Sequence, residues 1–158
     1  MKGDAEILIE KLQQIKAGDI MSRFAITTMK GTLLTEVAHL MSRFKISGVP
    51  VIGKNKEICG IVTSTDLFNV LDKISRGGAD FPQDCNIPVE DIMSEQVCSI
   101  AEDTPLYDVI KLMCGKSIHT LPVLSGSEIV GVIGRRDVLN ASYALMRGQI
   151  DHKNRGTQ

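Results

Sequence analysis

Two related runs of the sequence end in an aspartate near the start of a predicted helix. Asp66 ends G-I-V-T-S-T-D and Asp137 ends G-V-I-G-R-R-D, and Thr63 of the first run is replaced by Gly134 in the second. A carboxylate accepts hydrogen bonds and a threonine hydroxyl adds a further polar contact, so each run is a candidate ligand site. The alternative for either aspartate is a structural role, in which its charge stabilises the helix dipole.

Two adjacent arginines belong to the second run. Arg135 and Arg136 stand where the first run has Ser64 and Thr65. Positive charge at the amino terminus of a helix is ordinarily unfavourable, and two neighbouring guanidinium groups repel each other. The free N–H groups of the same terminus favour an anion. A bound phosphate therefore explains the pair, and the alternative is two solvated surface side chains.

Other patterns that would indicate catalysis are missing from the sequence. It contains no Gly-rich phosphate loop, no recognisable nucleophile and base pair and no regularly spaced metal ligands. We therefore predict no catalytic residue, no metal site and no catalytic cofactor. The cysteines lie far apart without a C-x-x-C, which favours reduced and mostly packed thiols over zinc ligands or disulfides. They are Cys59, Cys85, Cys98 and Cys114.

Composition and charge limit the class of protein. The chain has 158 residues, of which 43% are hydrophobic and 23% charged, and its formal charge is -1. Such a balance gives no bulk attraction to nucleic acid or to an anionic membrane, so neither is predicted as a partner. No apolar run reaches the roughly 18 residues of a membrane span, and the first residues do not resemble a signal peptide. We expect a cytoplasmic protein.

The elements that position these residues occur twice. When the chain is aligned with itself from residue 19 to residue 69, with Lys56 omitted, 17 of 50 pairs are identical. Ordinary composition would give about three by chance. The matches include D-I-M-S at 19–22 and 91–94, Pro-Val at 50–51 and 122–123, and the two aspartates. The sequence therefore contains an internal duplication.

Each copy predicts the order strand, helix, strand, strand, helix. Short entry strands are expected at 25–28 and 97–100, and a helix follows whose apolar face in the first copy includes Val37, Met41 and Phe44. In the second copy Thr104 is expected to cap this helix and Pro105 to be its first residue. Residues 49–52 and 57–63 predict a strand pair joined by a polar turn, and the last helix begins near each aspartate.

This order, duplicated and ending in G-I-V-T-S-T-D, resembles the CBS domain family. The resemblance implies an α/β fold in which tandem repeats pack with pseudo-two-fold symmetry and leave two clefts between them. The implied organisation is an N-terminal helix at 1–16, repeats at 17–74 and 89–144, a linker at 75–88 and a polar tail at 145–158 that frays after Arg147. Family pairs often dimerise, and we expect a homodimer that covers apolar helix faces, including the one from Val37 to Phe44.

The resemblance also implies the ligand and its contacts. Clefts of this family bind AMP, ADP, ATP or related compounds such as S-adenosylmethionine. The ribose would contact Thr63 and Asp66 in one cleft and Asp137 in the other, where the missing hydroxyl at Gly134 predicts weaker binding. Main-chain groups of the opposite repeat would hold the base. For the Asp66 cleft these are Val97, Cys98, Ser99, Ile118, Thr120 and Leu121, and for the Asp137 cleft they are Ile26, Thr27, Ile46, Ser47, Gly48 and Val49. His119, Arg135 and Arg136 would contact phosphate, although His119 can equally be a structural residue at a strand start.

Three classes of function remain open at this stage. The favoured one is a regulatory protein that senses an adenosine ligand and acts on a protein partner or on its own dimer. The second is a degenerate pair that serves only dimerisation or docking, as the lost hydroxyl at Gly134 indicates. The third, an enzyme or part of one, is disfavoured because only about thirty residues lie before and after the repeats.

Overall fold

The structure is a computed structural model that describes residues 1–77 and 86–155, with side chains described up to residue 148. Its helices and strands follow the predicted order twice. They are α1 (Asp4–Gln14), α2 (Ala17–Ile20), β1 (Thr28–Met29), α3 (Leu34–Phe44), β2 (Gly48–Ile52), β3 (Ile58–Thr63), α4 (Ser64–Ser75), a 3-10 turn (Val89–Asp91), β4 (Ile100–Ala101), α5 (Leu106–Lys116), β5 (Thr120–Ser125), β6 (Glu128–Gly134) and α6 (Arg135–Arg155).

The strands form two small sheets with the same topology. In the order β1-β2-β3, β1 runs parallel to β2 and β2 runs antiparallel to β3; β4-β5-β6 repeats this arrangement. The predicted strand pairs are therefore confirmed. The entry strands are shorter and begin later than predicted, at Thr28 and Ile100, because residues 25–27 and 97–99 have no strand partner.

The helix after each entry strand packs its apolar face on its sheet. Val37 and Met41 of α3 are buried as predicted, together with Leu34, whereas Phe44 of the predicted face is exposed. The prediction for the start of α5 is wrong: Pro105 is the N-cap and Leu106 is the first helical residue. The Thr104 hydroxyl accepts a hydrogen bond from Ala101 N–H at 3.2 Å in the preceding turn and does not cap the helix.

The opening segment of each repeat packs on the sheet of the other repeat. Ser22 and Val132 exchange two backbone hydrogen bonds at 2.9 and 3.0 Å, and Ser94 and Ile61 exchange two at 2.9 Å. Met21 is buried in the core of the second repeat, whereas Met93 packs against the core of the first. The two sequence repeats are therefore interlocked, and neither core is complete without a segment of the other repeat.

Two glycines allow this interlocking. A β-carbon at Gly60 would lie 2.6 Å from Met93 Sδ and 2.9 Å from the Ser94 carbonyl oxygen. At Gly131 it would lie 2.5 Å from Met21 Sδ and 2.9 Å from the corresponding carbonyl oxygen of Ser22. Only a residue without a side chain lets the crossing segment approach β3 or β6 so closely.

The terminal and linking segments differ in part from the predictions. Leu12 of α1 and the following Ile15 pack against the second core, and α1 lies against α5. The predicted fraying after Arg147 is wrong, because α6 continues to Arg155. Most of the predicted linker, residues 78–85, lies outside the described residues. No helix in the described part of the chain is long and apolar enough to cross a membrane.

Three of the four cysteines can be described, and they are free thiols. Cys59 and Cys98 are partly buried, whereas Cys114 is exposed, so the predicted packing does not extend to Cys114. Cys85 falls outside the described residues.

Candidate functional site

A cleft of about 1110 Å³ opens between the two repeats at the start of α6. One wall is the end of β6 and the first turn of α6, from Gly134 to Leu139. The first repeat contributes residues 24–26 and the segment 44–48 that joins α3 to β2. The end of α5 and residues 117–120 also line the cleft. Its volume slightly exceeds the range of about 300 to 1,000 Å³ that is typical of small-molecule sites, and a ligand in it would contact both repeats.

The Asp137 carboxylate lies in this cleft with one oxygen already fixed. Oδ2 accepts a hydrogen bond from Gly134 N–H at 2.8 Å. Oδ1 has no hydrogen-bond partner among the described residues. The carboxylate is therefore oriented by the backbone and keeps an oxygen that can accept hydrogen bonds from a ligand.

Asp66 occupies the corresponding position at the start of α4 and makes a capping box with Thr63. Its Oδ2 accepts from Thr63 N–H at 2.7 Å and from the Thr63 hydroxyl at 3.1 Å, while Asp66 N–H donates back to that hydroxyl at 3.4 Å. The structural role considered for this aspartate is thus present in the fold. The same backbone contact orients both carboxylates, at 2.7 Å in the first copy and 2.8 Å in the second.

The cleft contains the predicted phosphate-contact residues. Arg135, Arg136 and His119 all line it, and so does Lys45 of the first repeat. Within the described residues neither arginine makes a salt bridge, although Asp137 follows them directly. A cleft with several cationic side chains and one carboxylate suits an anionic ligand.

The predicted base contacts are brought together only in part. Ile26, Ile46, Ser47 and Gly48 line the Asp137 cleft as predicted, but Thr27 and Val49 do not, and Val49 is fully buried in the first core.

The segment from Ile118 to Thr120 was expected in the Asp66 cleft, and the structure places it in the Asp137 cleft instead. Among the other residues expected at Asp66, Leu121 is fully buried in the second core, Cys98 packs against that core, and Val97 and Ser99 do not line the described cleft.

The cleft also has exposed apolar side chains that were not predicted as site residues from the sequence. Phe24, Phe44 and Leu139 line the cleft with exposed side chains. The sequence contains a signal that could have found these residues, since the two copies differ here. Phe24 aligns with Gln96, and Phe44 aligns with Lys116. The described residues contain no group of three or more histidine, cysteine or acidic side chains that could hold a metal ion.

The comparison with known families agrees with this architecture. The family model described as "CBS domain" matches residues 17–73 and 89–144. The chain belongs to the CBS domain family. The resemblance stated from the sequence is thereby confirmed, together with the α/β fold of tandem repeats.

Similar proteins include other CBS pairs. The structure of the AcuB protein of Vibrio cholerae has a TM-score of 0.73 and 28% identity, over 87% of this chain and 96% of that one. The CBS domain pair of protein MJ0100, in complex with 5'-methylthioadenosine and S-adenosyl-L-methionine, has a TM-score of 0.70 and 24% identity, over 82% and 97%. The gamma subunit of 5'-AMP-activated protein kinase of Dictyostelium discoideum is 32% identical, over 84% of this chain and 25% of the subunit.

Many relatives are larger than this chain. It spans 66%, 13% and 24% of the lengths of the first three curated relatives that it matches. The shared part is the CBS pair, so the relatives identify the module and its fold.

Proposed function

We propose that the protein is a regulatory module that binds an adenine nucleotide in the cleft at Asp137 and has no catalytic role. The observation that carries the proposal is the cleft itself, which combines the Asp137 carboxylate, Arg135 and Arg136 with the main chain of residues 46–48 from the other repeat. The adenosyl ligands named for the related CBS pair and the AMP in the name of the related kinase subunit support this ligand class.

Each part of the nucleotide has a matching group. The free Oδ1 of Asp137 can accept hydrogen bonds from the ribose hydroxyls. Ile26 and Ile46 supply apolar contacts for the base, beside main-chain donors and acceptors of the same segment. Arg135, Arg136 and His119 would then contact the phosphates.

The missing hydroxyl at Gly134 does little to disfavour ribose binding at Asp137. In the first copy Thr63 orients Asp66 partly through its backbone N–H, and Gly134 keeps that same contact to Asp137. A β-carbon at Gly134 would approach only the Asp137 carboxylate, at 3.8 Å, so the side-chain position is open space in the cleft. We therefore reverse the sequence-based order and propose Asp137 as the principal ribose contact.

The charges favour phosphorylated ligands over S-adenosylmethionine. The sulfonium of that compound is positive and would lie in a cleft with two unpaired arginines, whereas phosphates would neutralise them. AMP, ADP and ATP are therefore the proposed ligands. Because the nucleotide would contact both repeats, it would stabilise the closed arrangement of the cleft, and a partner or a second copy could respond to that change.

The proposed oligomer is a homodimer, but not through the face predicted from the sequence. Val37 and Met41 are buried in the protein's own core. Large apolar side chains are exposed instead on the last helix of each copy: Phe68 and Leu71 on α4, and Leu139, Tyr143 and Met146 on α6. These faces also support the second candidate function, a docking module without a ligand.

A thermal shift panel of adenosine, AMP, ADP, ATP and S-adenosylmethionine tests the proposal. A ligand at a hundred times its Kd adds about 2.7 kcal/mol, which corresponds to a rise in Tm of about 5 to 11 °C for a chain of this size. We expect that rise with at least one phosphorylated ligand and a much smaller one in Asp137→Ala. An unchanged Tm with all five compounds at millimolar concentration would contradict the sensing role and favour docking.

A further inference from the structure

Phe24 is an exposed aromatic side chain that lines the Asp137 cleft. Phe24 is 94% exposed, so the fold gains almost nothing from burying its ring. A single exposed apolar residue is ordinary, but this one lines the cleft together with Phe44 and Leu139, which are also exposed. The three side chains, here called the apolar rim, line the same cleft as the charged groups at the start of α6.

The segment that carries Phe24 connects the two walls of the cleft. At one end Ser22 exchanges two backbone hydrogen bonds with Val132 of β6, two residues before Gly134. At the other end Thr28 pairs with Val51 of β2, in the sheet of the first repeat. Residues 23–27 between these anchors belong to no helix or strand. Phe24 therefore belongs to a short irregular segment that is fixed by backbone hydrogen bonds to β6 at one end and to β2 at the other.

The two phenylalanines of the apolar rim occur in the first copy only. The positions that correspond to Phe24 and Phe44 in the second copy are Gln96 and Lys116. The duplication thus gives the Asp137 cleft two phenyl rings where the other copy has a polar and a charged side chain. A purine offers a flat apolar face of the kind that such rings stack against.

We propose that Phe24 stacks on the base of the bound nucleotide and makes the Asp137 cleft favour ligands that carry a base over ligands without one. This inference rests on the proposed function and names a specificity residue within it. The base then contacts an aromatic ring on one side and the segment around Ile46 on the other, while Asp137 and the arginines hold the ribose and the phosphates.

The test replaces Phe24 by the residue of the other copy. Calorimetry measures AMP and adenosine, and NMR titration measures ribose 5-phosphate, which lacks a base, on the wild type and on Phe24→Gln. We expect both adenine compounds to bind about tenfold more weakly to the variant, as for loss of one stacked aromatic face, and ribose 5-phosphate to bind unchanged. Phe24→Tyr should retain wild-type affinity. Met29→Ala, which removes an exposed apolar side chain outside the cleft, serves as the control.

The possible results distinguish a failure of the role proposed for Phe24 from a failure of the proposed function. Unchanged AMP affinity in Phe24→Gln, or equal losses for AMP and ribose 5-phosphate, would overturn the stacking role and leave the ligand site intact. An altered oligomeric state with unchanged affinity would identify Phe24 as an interface residue, which also overturns it. If the wild type binds none of the three compounds, the role of Phe24 is overturned, and the proposed function fails with it when ADP and ATP do not bind either.

Discussion

The interlocking of the repeats predicts that Gly60→Ala destabilises the protein. The added methyl would lie 2.6 Å from Met93 Sδ, 3.0 Å from its Cγ and 2.9 Å from the Ser94 carbonyl oxygen. The methionine side chain can move, but the carbonyl oxygen accepts the hydrogen bond from Ile61 N–H at 2.9 Å and cannot retreat without lengthening it. Overpacking of this kind costs about 1 to 3 kcal/mol, so the Tm should fall by about 2 to 12 °C.

Thermal unfolding followed by circular dichroism measures this effect. Gly115→Ala is the matched control, because nothing lies within 4 Å of a β-carbon at this exposed helical position and alanine favours the helix. Its Tm should stay the same or rise slightly. Combining Gly60→Ala with Met93→Ala removes the sulfur contact but leaves the carbonyl contact, so the two losses should not add fully. If Gly60→Ala melts like Gly115→Ala, the crossing segment does not pack on β3 as described.

Three further outcomes are expected, from a close contact at Gly48, from the two arginines and from the exposed face of α6. Gly48→Ala should lower the Tm, because its β-carbon would lie 2.6 Å from the Thr120 hydroxyl oxygen, and adding Thr120→Ala should restore part of the loss; no recovery in the double variant would argue against this contact. Raising the salt concentration should weaken ATP binding to the wild type, and much less so to Arg135→Ala/Arg136→Ala; equal salt slopes in calorimetry would leave the arginines as surface residues. Light scattering at tens of micromolar should report a dimer that Tyr143→Glu weakens, and a monomeric wild type would rule out this interface.

The elements could be predicted from the sequence because their signals are local. The spacing of Val37 and Met41 defines the buried face of α3, and the alternation of apolar runs with a polar turn defines the strand pair. The start of α5 could not be predicted in detail. Proline is common at the first helical position, but here Leu106 N–H donates to the Ile15 carbonyl oxygen and the Thr104 carbonyl oxygen accepts from Ala17 N–H, contacts with a distant segment that local sequence does not reveal.

Aligning the two copies could not predict that the opening segment of each repeat packs on the sheet of the other repeat. Self-alignment shows that Met21 corresponds to Met93, but the same alignment results whether each methionine packs on its own sheet or on the other. The cleft assignment depends on this packing. Ile118 and Thr120 were expected near Asp66, yet they line the cleft of Asp137, in the same repeat.

Calorimetric titration of AMP into the wild type, Asp137→Ala and Asp66→Ala tests the central claim most directly. If the nucleotide binds in the Asp137 cleft, Asp137→Ala should lose about 1.5 to 3 kcal/mol of binding free energy, as expected for hydrogen bonds to a charged group, which is a 10- to 150-fold rise in Kd. Asp66→Ala should keep nearly wild-type affinity, because its carboxylate is part of a capping box outside that cleft. A larger loss in Asp66→Ala than in Asp137→Ala would contradict this account and assign the nucleotide to the other cleft.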